Sequence, residues 1–144
     1  MTTGSAIERT SKGVRTKQAM LRAAVDLLDE VGPEEITLQA IGEQLGLHRT
    51  AVYRHFADRE ALLGETLEFL IANVAEGLVL PADPAGQIKA IAFALRRMFH
   101  QHPGAATLFV TTGGMRGGTA TMEVIVLAAL REMGVAEADL PMTY

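Results

Sequence analysis

Apolar residues recur at three- and four-residue spacing through most of this chain, and that period predicts helices. Met20, Ala23, Ala24, Leu27, Leu28 and Val31 form one stripe, with Arg15, Lys17, Gln18 and Arg22 set between them, so a first helix is expected from about Val14 to Val31, stopped by Gly32-Pro33. Leu38, Ile41 and Leu45 mark a second, shorter helix whose start Thr37 can cap and whose end Gly46 supplies. Leu47 turns inward, and a third helix is expected from about Arg49 to His55, anchored by Val52 and Phe56.

Asp58 is a suitable cap for a fourth helix through Leu62, Leu63, Leu67, Leu70, Val74 and Leu78, ending before Pro81. Asp83-Pro84 restarts the pattern; Ile88, Ile91, Ala92, Leu95, Phe99 and His102 mark its expected inner face, and Pro103-Gly104 breaks it. A short helix from Ala105 to about Val110 then leads into loops at Thr111 to Gly114 and Gly117-Gly118. A last helix from about Thr119 to Met133 carries apolar residues on more than one side and needs cover on more than one side. The first 13 residues are small, polar and unpatterned and are expected to form a mobile basic arm. No stretch alternates as a strand would, and nothing repeats.

The fold class expected is therefore all-α. Two helices joined by so short a glycine turn cross steeply, the geometry of a helix-turn-helix, in which the second helix offers its first turn to the DNA major groove. The organisation expected is an arm over residues 1–13, a three-helix DNA-binding domain over 14–58, and an α-helical regulatory body over 59–144, the long fourth helix joining the two.

Net charge is −4, which by itself argues against nucleic acid; its distribution reverses the argument. Arg9, Lys12, Arg15, Lys17 and Arg22 follow one another with no acid between Arg9 and Arg22, and Arg49, Arg54 and Arg59 come next. From Ala61 onward acids outnumber bases. A basic head on an acidic body suits a protein that meets DNA with one face. There is no cysteine, which excludes disulfides and thiol catalysis and fits a cytoplasmic protein. The longest apolar run, Val124 to Leu130, falls far short of the ~20 residues of a membrane span. No nucleophile-base pair, carboxylate dyad or phosphate loop is present, so no enzyme is expected, and no cofactor. His100 and His102 lie two apart, do not share a helix face and are not expected to hold a metal.

The run from Thr37 to Leu63, with Gly46, Leu47, Tyr53, His55, Phe56 and then Asp58-Arg59-Glu60-Ala61-Leu62, resembles the DNA-binding domain of the tetracycline-repressor (TetR) family, over roughly residues 14 to 70. The resemblance implies a homodimer on a palindromic double-stranded operator, released by a small-molecule effector. It also implies that Thr37, Tyr53, His55 and Arg59 grip the sugar-phosphate backbone. Family members normally carry two further long helices that pair between subunits, so the last helices are expected to be missing and the sequence to be a fragment. Two positions depart from the family pattern. His48 stands where a small capping residue is common and is expected to start its helix loosely, and Ala51 lacks a hydroxyl often found there.

By side-chain chemistry alone, Gln39, His48, Arg49, Thr50 and Arg54 are the candidate base readers: arginine matches guanine O6 and N7, and glutamine matches adenine. Each has a plainer reading as ordinary surface, and Tyr53, Phe56 and His55 equally serve packing within the turn. Phe69, Phe93, Met98, Phe99, His102, Phe109, Met115 and Met122 are the candidate walls of an effector cavity, with His100 or Arg96 as further polar anchors; plain core is the competing reading. The function expected is a ligand-responsive transcriptional repressor. The alternative is a small-molecule binding protein whose head no longer reads DNA.

Overall fold

A computed structural model of the chain describes residues 3–112 and 120–140, and among these the fold is all-helical. The α-helices are α1 (Thr3–Val31), α2 (Leu38–Leu45), α3 (Arg49–Tyr53), α4 (Arg59–Glu76), α5 (Pro84–Gln101), α6 (Pro103–Thr111) and α7 (Ala120–Glu132). Single 3₁₀ turns at Pro33–Glu35 and Glu137–Asp139 were not foreseen. The loops expected at 113–119 lie outside the described residues.

One expectation about the arm is corrected. Helix α1 does not start near Val14 but at Thr3, taking in most of the stretch read as mobile. That segment lacks proline, and once a helix is nucleated each added residue gains a hydrogen bond at little cost, so Gly13 does not stop it.

The chain divides into two compact units, Met1–Leu67 and Glu68–Tyr144, with the division inside α4 rather than at residue 58. The reason is visible in the first unit's core. Met20, Ala23, Ala24 and Leu28 of α1 are buried together with Ile36, Leu38, Ile41, Val52 and Phe56, and Leu62, Leu63 and Leu67 at the start of α4 are buried with them. Thr66, fully buried, places its hydroxyl on the Leu62 carbonyl at 2.7 Å, and no buried side-chain polar atom among the described residues lacks a partner. At the rim, Lys17 Nζ reaches Glu65 at 2.5 Å and stands 5.4 Å from the centre of the Phe56 ring. Val31, expected on the inner stripe, is 54% exposed.

In the second unit the buried stripe of α5 is Ile91, Ala94 and Met98. The face expected from the sequence is thus rotated: Ala92 is exposed, while Ile88, Leu95 and Phe99 are half-buried. Asp83 caps α5 as expected, its carboxylate accepting from the Gly86 N–H at 2.6 Å. Leu70, Ile71, Ala105, Leu108, Met122, Ala129 and Leu140 complete this unit's buried apolar set among the described residues.

Candidate nucleic-acid interface

The interface is built on α2, the turn after it and α3. Thr37 caps α2, its hydroxyl oxygen accepting from the Ala40 N–H at 3.0 Å. Gly46 ends the helix in the left-handed region (φ 63°, ψ 31°), with Leu47 N–H on the Gly42 carbonyl at 2.8 Å and Gly46 N–H on Glu43 at 3.3 Å, the Schellman pattern. A side chain at Gly46 would meet nothing; the demand there is conformational. Gly42 has the opposite demand. A Cβ on it would stand 3.1 Å from the Leu47 carbonyl oxygen and 3.4 Å from Val52 Cγ2, so this glycine sets how closely α2 and α3 approach. Sequence reasoning passed over Gly42, although a glycine inside an otherwise helical stripe is itself a signal of close packing.

Helix α3 has only five residues and one fully buried anchor, Val52. Its start is tighter than a histidine cap suggested. His48 Nδ1 accepts from the Thr50 N–H at 3.4 Å and pairs with the Thr50 hydroxyl at 2.6 Å. With Nδ1 turned toward Thr50, Nε2 is the ring nitrogen left to meet an outside group. Arg49 is held over the Tyr53 ring, its guanidinium carbon 5.2 Å from the centroid, and its Nη2 reaches the Tyr53 hydroxyl at 3.4 Å. Stacking on tyrosine one turn away fixes the direction of a long side chain that would otherwise sample many rotamers.

Gln39, His48, Arg49, Thr50, Tyr53 and Arg54 are all exposed, with Tyr53 at 44%. None of these side chains is turned into the core. Gln39 donates its amide to Glu43 at 2.9 Å along the outside of α2, the Thr50 hydroxyl is engaged by His48, and His55 is half-buried beside the buried Phe56. Arg59 stands apart from the others. Its Nε donates to the Ile36 carbonyl at 2.8 Å and its Nη2 to the carbonyls of Pro33 at 2.8 Å and Glu34 at 3.3 Å, so it clamps the turn before α2 to the start of α4. Nothing in the local sequence announces that role, because its three acceptors lie more than twenty residues away.

The residues expected around an effector cavity do not converge on one. Met98 and His102 line a cavity of about 390 Å³ bounded by Leu70, Asn73, Val74, Gly77 and Leu78 on one side and Ala94, Arg97 and Gln101 on the other. Phe99 and Phe109, edge to face with centroids 5.5 Å apart, line a second space of about 430 Å³ with Ala92, Leu95, Arg96 and His100. Phe69, Met122 and Phe93 line neither of these two spaces, Met122 being buried and Phe93 65% exposed. Met115 lies outside the described residues. Among the described residues no group of His, Asp and Glu is placed to hold a metal, and no helix is long and apolar enough to cross a membrane.

A braced cationic helix presented outward from a glycine turn defines the head as a helix-turn-helix reader. Residues 20–66 match the family described as bacterial regulatory proteins, tetR family. The chain is 29% identical over 131 residues to an HTH-type transcriptional regulator of Saccharopolyspora erythraea, covering 90% of this chain and 55% of that protein. It is 42% identical over 54 residues to the class A tetracycline repressor of transposon 1721 from Escherichia coli, covering 38% of this chain and 25% of the repressor. Among solved structures, a TetR transcriptional regulator of Streptomyces coelicolor superposes with a TM-score of 0.74 at 26% identity, over 84% of this chain and 61% of that one. Residues 20–66 thus carry the DNA-binding domain of the tetR family, and over most of its length the chain is similar to transcriptional regulators of that family. It spans 55% of the Saccharopolyspora regulator and 61% of the Streptomyces one, and only 25% of the tetracycline repressor.

Proposed function

We propose that the protein is a ligand-responsive transcriptional repressor that binds a palindromic operator as a homodimer. The observation that carries this reading is the exposed start of α3, where Arg49 is aimed by Tyr53 and the helix end is fixed by His48. Arg49 and Arg54 read guanine edges, and His48 meets a base edge through Nε2, the ring nitrogen not turned to Thr50. Gln39 keeps its carbonyl oxygen for a base donor. Thr37 accepts within its cap and keeps its O–H to donate to a phosphate, joined by Tyr53 and His55; these contacts hold register and the base contacts choose sequence. Arg59 acts chiefly by holding the head together, since most of its donors are already engaged.

Release works through α4. Its 18 residues extend about 27 Å at ~1.5 Å each and run from one unit into the other. Two heads on successive major grooves must stand about 34 Å apart, and an effector that favours another separation weakens operator binding by mass action. The test is selection of bound sequences from a random DNA pool, followed by gel shift across a salt series. A palindromic consensus and a steep fall of affinity with salt are expected. Absence of any sequence preference, with binding indifferent to salt, overturns the reading and points to a head that does not read DNA.

A further inference from the structure

The cavity at the end of α4 is lined by one spacing used twice. Leu70, Asn73, Val74, Gly77 and Leu78 follow at i, i+3, i+4, i+7 and i+8, and Ala94, Arg97, Met98, Gln101 and His102 follow at the same intervals on α5. That spacing gathers each set on one side of its segment, and the two sides enclose about 390 Å³. The lining is divided by chemistry. Leu70, Val74, Leu78, Ala94 and Met98 are apolar, whereas Asn73, Arg97, Gln101 and His102 are polar, and no Asp or Glu is among them. Arg97 is exposed and, among the described residues, engages no carboxylate and no hydrogen-bond acceptor. An unengaged guanidinium fork beside an apolar wall, with no acid in the lining, matches a carboxylate bidentately.

We propose that this cavity binds a small organic carboxylate, its anionic end on Arg97 with the amides of Asn73 and Gln101 as further donors, and its hydrocarbon body against Leu70, Val74, Leu78 and Met98. The role of this ligand as effector rests on the repressor reading above. At ~30 Å³ per water the space equals roughly thirteen waters, which sets the ligand at on the order of a dozen non-hydrogen atoms. The second space sets Arg96 and His100 beside Leu95, Phe99 and Phe109 but has no side-chain amide in its lining, so it serves as the internal comparison for a guanidinium without those further donors.

The experiment is calorimetric titration of the whole chain with octanoate, octanamide and octylamine, with straight-chain and aromatic carboxylates of similar size alongside. Octanoate is expected to bind at least about tenfold more tightly than the amide, and the amine not at all. Arg97→Gln is expected to erase the difference, Arg97→Lys to restore part of it, and Arg96→Gln, in the second space, to leave it intact, all with unchanged helical circular dichroism. Equal binding of octanoate and octanamide, no binding of any carboxylate, or an Arg97→Gln variant that binds as before overturns the proposal. Repeating the titration on protein bound to its selected DNA separates the two readings. A carboxylate that binds through Arg97 without loosening DNA keeps the site and removes the effector role. Failure of every carboxylate on protein that holds DNA tightly removes the site and keeps the reader.

Discussion

The two units place their apolar side chains differently. In the first, Phe56, Val52, Ile41 and Leu62 are all but inaccessible, and among the described residues the large hydrophobics left outside are Val31 and Tyr53, the second of which supports Arg49. In the second, Val79, Phe93, Val110, Val124 and Met133 stand 52–87% exposed. The head closes its core and shows charge; the body shows hydrocarbon. A five-residue helix such as α3 has no stability of its own, so the head must be rigid around Val52 and Phe56 for the reader to exist. Exposed apolar side chains in the body have no comparable internal role and suit a surface that meets other protein.

The largest effect expected from this contrast is in the core. Phe56→Ala should cost about 3–5 kcal/mol and lower the denaturation midpoint of the head, because a 1% exposed ring leaves a cavity its neighbours cannot fill. Phe93→Ala, the same chemical change on the exposed face of α5, should stay within about 0.5 kcal/mol. Equal losses in a urea titration of the two variants would mean that the contrast between the units is not real.

Next comes the reader itself. Arg49→Ala is expected to weaken operator binding by about 1–3 kcal/mol and to relax preference at one base pair, with the helical signal unchanged. Tyr53→Phe keeps the ring under Arg49 and removes only the hydroxyl, so its loss should be the smaller of the two. A gel-shift series in which Tyr53→Phe costs as much as Arg49→Ala would show that the hydroxyl, and not the stacked guanidinium, matters most.

A third pair of substitutions probes how closely α2 and α3 approach. Gly64→Ala, in α4 with open space around it, should stabilise by roughly 0.5–1 kcal/mol through helix propensity. Gly42→Ala gains the same propensity but drives a methyl to 3.1 Å from the Leu47 carbonyl, and overpacking of about 1–3 kcal/mol should outweigh it. Thermal denaturation that ranks Gly42→Ala above the unsubstituted protein would show that the helix-turn-helix is looser than these distances say.

The same contrast governs what the sequence made legible. In the head, local signals sufficed: Thr37, Gly46 and Asp58 cap or end their helices where residue type and period said they should. Failures arose where the deciding partner is distant in sequence. The Arg59 clamp depends on carbonyls at 33, 34 and 36, and the start of α1 depends on the well-anchored turns from Met20 onward rather than on the weak pattern of its first residues. In the body, the period of α5 was legible but its phase was not. Ala92, Leu95 and Phe99 fit an inner stripe as well as Ile91, Ala94 and Met98 do, and only the elements packed against α5 choose between them. With that phase Arg97 and Met98 line the cavity at the end of α4, while Leu95 and Phe99 line the other space.

The smallest effect expected lies at the edge of the body, where α7 meets the 3₁₀ turn after it. Arg131 donates from Nε to Glu137 at 3.1 Å and from Nη2 at 2.7 Å, a bidentate pair in full contact with water. The hydrogen bond from Arg131 holds the Glu137 carboxyl below its ordinary value of 4.5. A depressed folded value means that the contribution is complete above pH 4.5 and is lost as pH falls from there through the folded value. Glu137→Gln should therefore flatten only that acid window of the stability curve, and exposure should keep the change near the limit of detection. In 1 M salt, where the screening length is about 3 Å, the difference between Glu137→Gln and the unsubstituted protein should shrink further. A difference undiminished at neutral pH in 1 M salt would mean that Glu137 supports the turn at Glu137–Asp139 through more than its charge, whereas no difference under any condition would leave the turn to the packing of Leu140, which is 7% exposed.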